Sequence, residues 1–116
     1  MEKVTSRTVW KIIEGFRMYE VSNYGKVKSK GYPDIILKTD RSGAVMLKHN
    51  LGEWFRTKVD LLVAEYFIPN PEEYCFVRHK NGNPKDNRWY NLEWVDEKPK
   101  QKRNYKGRIN IKRYAK

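Results

Sequence analysis

The sequence predicts an α+β fold, a small antiparallel β meander followed by a strand, loop, strand and helix unit and a basic C-terminal helix or tail. Three observations carry this reading. Apolar residues alternate with a period of two up to about residue 57, then recur with a period of about 3.6 from Val59 to Phe67. Asn, Ser and Gly pairs interrupt the alternating part at short intervals, as turns in a meander do. A polar stretch at 81–91 then separates two short apolar and aromatic segments, "CFVRHK" and "LEWV".

Residues 10–29, "WKIIEGFRMYEVSNYGKVKS", set Tyr19, Val21 and Val27 around "SNYG", where Asn23 and Gly25 supply the positive-φ chemistry of a tight turn. This predicts a small hairpin. The pieces "IILK", "AVMLKH" and "EWFRT" follow, parted by Ser42-Gly43 and Asn50-Leu51-Gly52, and they continue the meander. In "KVDLLVAEYF" the residues Val59, Leu62, Val63, Tyr66 and Phe67 fall on one face and Pro69 closes the segment, which predicts a short buried helix. After the second late strand, Asp96 is placed to cap a final helix, with Pro99 in its first turn where a missing amide proton is tolerated. The expected division is a β-rich module at 8–57, a second unit at 58–105 and a basic tail at 106–116.

With 116 residues, 39% hydrophobic and 34% charged, the chain can build one modest core, or two very small modules sharing a surface. Its net charge of +11 suits a polyanionic partner. The excess is concentrated: residues 98–116 hold nine Lys/Arg and no Asp or Glu. A single-signed run interleaved with Tyr105, Ile109, Ile111 and Tyr114 reads as a phosphate-contacting tail rather than a merely solvated one. One cysteine, Cys75, excludes an internal disulfide and a Cys-x-x-Cys zinc site, so no structural zinc is expected and a reducing intracellular setting is. No apolar run reaches membrane-span length and "MEKVTSRTVW" lacks the pattern of a secretory signal, so no membrane partner is expected.

The most unusual stretch is "VRHKNGNPKDNRWYNLEWV", a single histidine followed by four asparagines. Asn side chains that bond to nearby backbone are what stabilise a long polar loop, and Asn81 and Asn83 are read that way. Residues 10–29 resemble the W-x-x-I-x-G-F-x-x-Y-x-V-S-N-x-G-x-V-x-S module that accompanies phage homing endonucleases. Residues 59–95 resemble the HNH nuclease domain of the same proteins, through "LVAEYFIPNP" and "HKNGNPKDNRWYNLEWV". The resemblance implies a ββα-metal fold in the bacterial host cytoplasm, double-stranded DNA as partner, and Mg²⁺ or another divalent cation as cofactor. It implies His79 as the base that takes a proton from water, Asn87 as the residue that holds the loop and orients the imidazole, and Asn91 as the later asparagine of the motif.

The chain departs from that pattern where relatives carry metal ligands. Arg78 stands in the place of an Asp before the base, and Lys100 in the place of an amide on the last helix; a charged Arg or Lys offers no lone pair to a cation. Asn104, one turn after Lys100, is a candidate replacement ligand given a small shift of helix register, and Asp60 in "VDLLVA", where relatives have His, is a second candidate. Asp60 is read first as a carboxylate facing its helix dipole. Phosphate contacts are expected from Arg78 and Lys80 beside the base and from Lys98, Lys100, Lys102 and Arg103 beyond it. In the tail they are expected from Lys106, Arg108, Lys112 and Arg113. Two readings therefore stand: a divalent-metal-dependent HNH endonuclease or nickase, and a catalytically degenerate HNH-derived module that binds DNA or a host DNA-handling protein. An RNA-binding β module is disfavoured because Trp89 and Trp94 are read as core plugs rather than base-stacking platforms. His49 is read as a surface residue.

Overall fold

The computed structural model describes residues 7–97. Its fold class is the α+β one expected, with antiparallel strands throughout and one α-helix among the described residues. Strands β1 (Trp10–Ile13), β2 (Phe16–Ser22), β3 (Val27–Ser29) and β4 (Ile35–Ile36) form a four-stranded sheet in that order. Strands β5 (Ala44–Lys48) and β6 (Trp54–Lys58) make a separate two-stranded sheet, and helix α1 (Val59–Phe67) follows β6 with no intervening loop. The third sheet pairs β7 (Phe76–His79) with β8 (Leu92–Val95), with His79 opposite Leu92.

Two expectations about the first half need correction. Residues 10–29 form three strands rather than one hairpin, because the chain also turns at Glu14-Gly15, where Gly15 has φ +88°. The register slips between Ile12 and Ile13, and this irregularity hides the β1–β2 alternation from a period-two reading. The meander is also not continuous. Between β4 and β5 the Asp40 carboxylate accepts the amides of Ser42 and Ala44, at 2.9 and 3.0 Å, and closes a local turn instead of extending the ladder. Those bonds and the Ser42 hydroxyl favour the ionised form and hold Asp40 down at a pKa of about 2, the Ala44 amide being the largest cause.

All three sheets and the helix share one core. Val21, Val27, Val45, Leu47, Val59, Leu62, Val63 and Leu92 are packed in a single cluster that crosses the boundary between the two expected modules. The helix owes its position to this burial: Val59, Leu62 and Val63 turn inward, as the 3.6-residue period requires. Polar ties fasten the pieces. The Tyr19 hydroxyl on β2 accepts the Lys48 amide of β5 at 3.1 Å, and the Tyr66 hydroxyl on α1 accepts the Glu14 amide at 2.7 Å. Trp89 packs against the cluster as expected, while Trp94 is half-buried and its indole donates to the Ile68 carbonyl at 3.2 Å. His49 is a partly buried turn residue rather than a surface one. Its Nδ1 accepts the Leu51 amide at 3.0 Å and its ring meets Phe16 edge-on at 5.1 Å, which a turn against an aromatic sheet face requires. No helix among the described residues is long and apolar enough to cross a membrane.

Candidate active site

His79 ends β7, and strand alternation turns its side chain to the face opposite Arg78. Its Nε2 lies 2.7 Å from the Asn87 Oδ1. An amide oxygen can only accept, so in the neutral ring this contact selects the tautomer with the proton on Nε2 and the lone pair on Nδ1. On the same side Nε2 stands 3.8 Å from Oδ2 of Asp60, and both side chains are largely buried, at 13% and 14% exposure. Asp60 reaches the ring because it is the second residue of α1, packed between inward Val59 and Leu62, and α1 lies against β7 and β8. Its carboxylate thus faces the imidazole as well as the positive end of its own helix.

The loop from 80 to 91 is built by its amides. Asn91, 6% exposed, donates from Nδ2 to the Asp86 carbonyl at 2.9 Å and to Asn81 Oδ1 at 3.0 Å, while its Oδ1 accepts the Asn81 amide at 3.1 Å. Asn81 Oδ1 also accepts the Asn83 amide, and Asn83 Oδ1 that of Lys85, at 2.9 and 3.0 Å. The backbone closes the base of the loop: the Lys80 amide donates to the Asn91 carbonyl at 2.7 Å. Buried polar groups of this kind are tolerated because each has a partner. Asp86, which sequence reasoning passed over, is the charged member of the network. Arg88 donates to both its oxygens, at 2.7 and 2.6 Å, and Asn81 to one. The Arg88 bonds chiefly hold the Asp86 pKa down at about 2 and raise that of Arg88.

A second surprise is where the loop rests. The carbonyl of Asn23, in the turn between β2 and β3, accepts the Trp89 amide at 2.8 Å, and Gly25 lies directly against Asn87. No local pattern in either segment carries that contact, since it joins two stretches far apart in the chain. The same crease is lined by Lys26, Lys85 and Arg88, three cations beside Asn87, none of which was expected as a phosphate contact. Arg78, like Arg88, is paired within the protein: its guanidinium meets Glu93, its cross-strand partner. Asn104 and the basic positions from Lys98 to Arg113, with the final helix expected after Asp96, lie outside the described residues.

Among the described residues no three His, Cys, Asp or Glu side chains cluster as a closed metal cage. A hard divalent cation of the magnesium type needs few protein ligands, being held by one or two carboxylates with water and substrate phosphate completing its shell. Asp60 is such a carboxylate, and having two oxygens it can face the ring and still offer one.

Comparison with known proteins agrees with the resemblance. Residues 9–58 match the NUMOD4 motif and residues 58–101 match the HNH endonuclease model. The chain is 42% identical over 93 residues to an uncharacterized HNH endonuclease of Acanthamoeba polyphaga mimivirus, covering 75% of this chain and 23% of that protein. It is 37% identical over 94 residues to the DNA endonuclease I-HmuI of Bacillus phage SP01, covering 77% of this chain and 53% of the phage enzyme. A solved structure of DNA binding and cleavage by the HNH homing endonuclease I-HmuI superposes with a TM-score of 0.64 at 34% identity, over 75% of this chain and 52% of that one. The chain therefore spans about half the length of the phage relative and about a quarter of the viral one.

Proposed function

We propose, from the premise that this chain belongs to the HNH homing endonuclease family, that it binds duplex DNA and hydrolyses a phosphodiester bond with His79 as general base. The observation that carries the reading is the 2.7 Å bond from His79 Nε2 to Asn87, with Asp60 behind the same nitrogen. That arrangement leaves Nδ1 as the accepting nitrogen. Water loses a proton to Nδ1, its oxygen forms the new bond to phosphorus, the bond to the 3′ oxygen breaks, and that oxygen takes a proton from solvent. The imidazolium so formed is stabilised by the Asp60 carboxylate and kept in place by Asn87. Members of the family generally use a divalent metal. Here Asp60, with Asn104 from outside the described residues, would hold such an ion, and its charge would stabilise the phosphate oxygens as negative charge builds on them. Lys26 and Lys85 along the crease, and the nine cations of residues 98–116, supply the sequence-independent attraction to the DNA backbone.

One observation favours a second reading. Arg78 directly precedes the base and its cation is engaged by Glu93, where relatives carry a metal-binding Asp, so a protein kept for DNA binding alone is the alternative. Incubation of the purified chain with supercoiled plasmid separates the two. The nuclease reading expects nicked or linear DNA with Mg²⁺ or Mn²⁺ and none with EDTA; retarded but intact plasmid under every condition would leave the binding module.

A further inference from the structure

The turn between β2 and β3 belongs to the N-terminal module, far in sequence from the histidine, yet it is the surface on which the loop residue bonded to that histidine is seated. We propose that this turn is a positioning element of the nuclease site, with Gly25 setting Asn87 and, through Asn87, the imidazole of His79. The inference rests on the reading of His79 given above.

The turn is stiff before the loop reaches it. Ser22 is fully buried and its hydroxyl accepts the amides of Tyr24 and Lys26, at 3.2 and 3.1 Å, while its own amide donates to the Lys26 carbonyl at 2.8 Å. Asn23, 5% exposed, ties the other side: its Oδ1 accepts the Val9 amide at 2.9 Å and its Nδ2 donates to the Arg7 carbonyl at 3.2 Å. Val21 and Val27 on the flanking strands are at 0% and 2% exposure, so the turn is anchored in the core at both ends.

Against this anvil the loop is held at two points either side of Arg88. The Trp89 amide donates to the Asn23 carbonyl at 2.8 Å. Gly25, at φ +86°, lies so close to Asn87 that an added Cβ would stand 2.9 Å from the Asn87 Cβ, 3.0 Å from its carbonyl oxygen and 3.1 Å from its carbonyl carbon. Two of those three atoms are backbone, which cannot swing aside as a side-chain tip does. The rings of Tyr24 and Tyr90 meet edge to face at 6.4 Å and extend the contact. Asn87 can thus approach the turn only because residue 25 has no side chain, and its Oδ1 reaches Nε2 of His79 from that seat. The N-terminal module accordingly supplies part of the site's geometry, not only an additional surface.

Gly43 and Gly52 supply the control. Both have positive φ, +86° and +104°, but a Cβ at either would meet nothing within 4 Å. Replacement of any of the three by Ala carries comparable backbone strain, and only Gly25→Ala presses on Asn87. The test is ¹⁵N NMR of the His79 ring and the Asn87 side-chain amide in the folded full chain, with plasmid kinetics beside it. For Gly25→Ala the His79 and Asn87 resonances should move, and kcat should fall at least tenfold with KM nearly unchanged. For Gly43→Ala and Gly52→Ala the same resonances should stay in place. If Gly25→Ala does not fold, Ser22→Ala, which loosens the turn without adding an atom, should move the same two resonances. Unmoved His79 and Asn87 signals in a folded Gly25→Ala or Ser22→Ala protein would overturn the proposal. Wild type that never cleaves would refute the nuclease reading instead, and the spectra would still decide this one.

Discussion

The β5–β6 hairpin and the 80–91 loop are two excursions of similar length, held by opposite means. In the hairpin, five residue pairs from Ala44↔Lys58 to Lys48↔Trp54 form a backbone ladder, and Val45 and Leu47 anchor it in the core. The loop has no ladder across its tip. Its shape comes from Asn81, Asn83, Asp86 and Asn91 bonding to one another and to nearby backbone. Apolar burial is strong and undirected, whereas hydrogen bonds contribute less but specify where atoms lie. The first kind of construction suits a region that must stay folded, and the second a region that must present a histidine in one orientation.

This difference can be broken on either side. The largest effect is expected in the hairpin: Leu47, fully buried, replaced by Ala should lower unfolding free energy by about 2–5 kcal/mol in urea melts, with cleavage by the remaining folded protein unchanged. A smaller stability change belongs to the loop. Asn87→Ala removes a hydrogen bond contributing about 1 kcal/mol, yet it should slow cleavage at least as much as Gly25→Ala does; a cleavage rate equal to wild type would show that the amide does not orient the ring.

The smallest effect sharpens the contrast through pH. Asp40 in the hairpin's approach and Asp86 in the loop are both depressed to a pKa of about 2, the first mainly by the Ala44 amide and the second mainly by Arg88. Because the folded values lie below the unfolded ones, each carboxylate stabilises the protein above about pH 4 and loses that contribution as pH falls toward 2. Asp86→Asn and Asp40→Asn should each flatten the fall of melting temperature over that window. Added salt should weaken the Asp86 contribution more, since its main partner is an exposed cation and that of Asp40 is a backbone amide. Equal salt sensitivity would remove the distinction.

The parts of this molecule legible from sequence were those whose cause is local. The change of apolar period at Val59 announced the helix, and Asn23 with Gly25 announced the β2–β3 turn. The β1–β2 turn was missed because the slip at Ile12/Ile13 breaks the alternation that marks strands. The gap in the meander was missed because one carboxylate, Asp40, captures two amides that a ladder would have used. At the site, the run of amides after His79 revealed a braced loop and the family resemblance pointed to the histidine. The seat of Asn87 on Gly25 has no local cause at all: it exists only once the shared core has brought β2, β3 and the loop together. His49 was misjudged for the same reason, its neighbour Phe16 lying on a different sheet.

The central claim is that His79 does chemistry and the rest of the loop holds it there. It is tested most directly by the single-turnover rate of Mg²⁺-dependent plasmid nicking for wild type and His79→Ala, with DNA affinity and melting temperature measured on the same samples. The account predicts a loss of about 10²–10⁴-fold in rate for the variant, at nearly unchanged affinity and with a melting temperature lowered only as far as by Asn87→Ala, since both variants lose the same hydrogen bond. A variant that nicks as fast as wild type, or one whose rate falls only in proportion to lost folded protein, would contradict it.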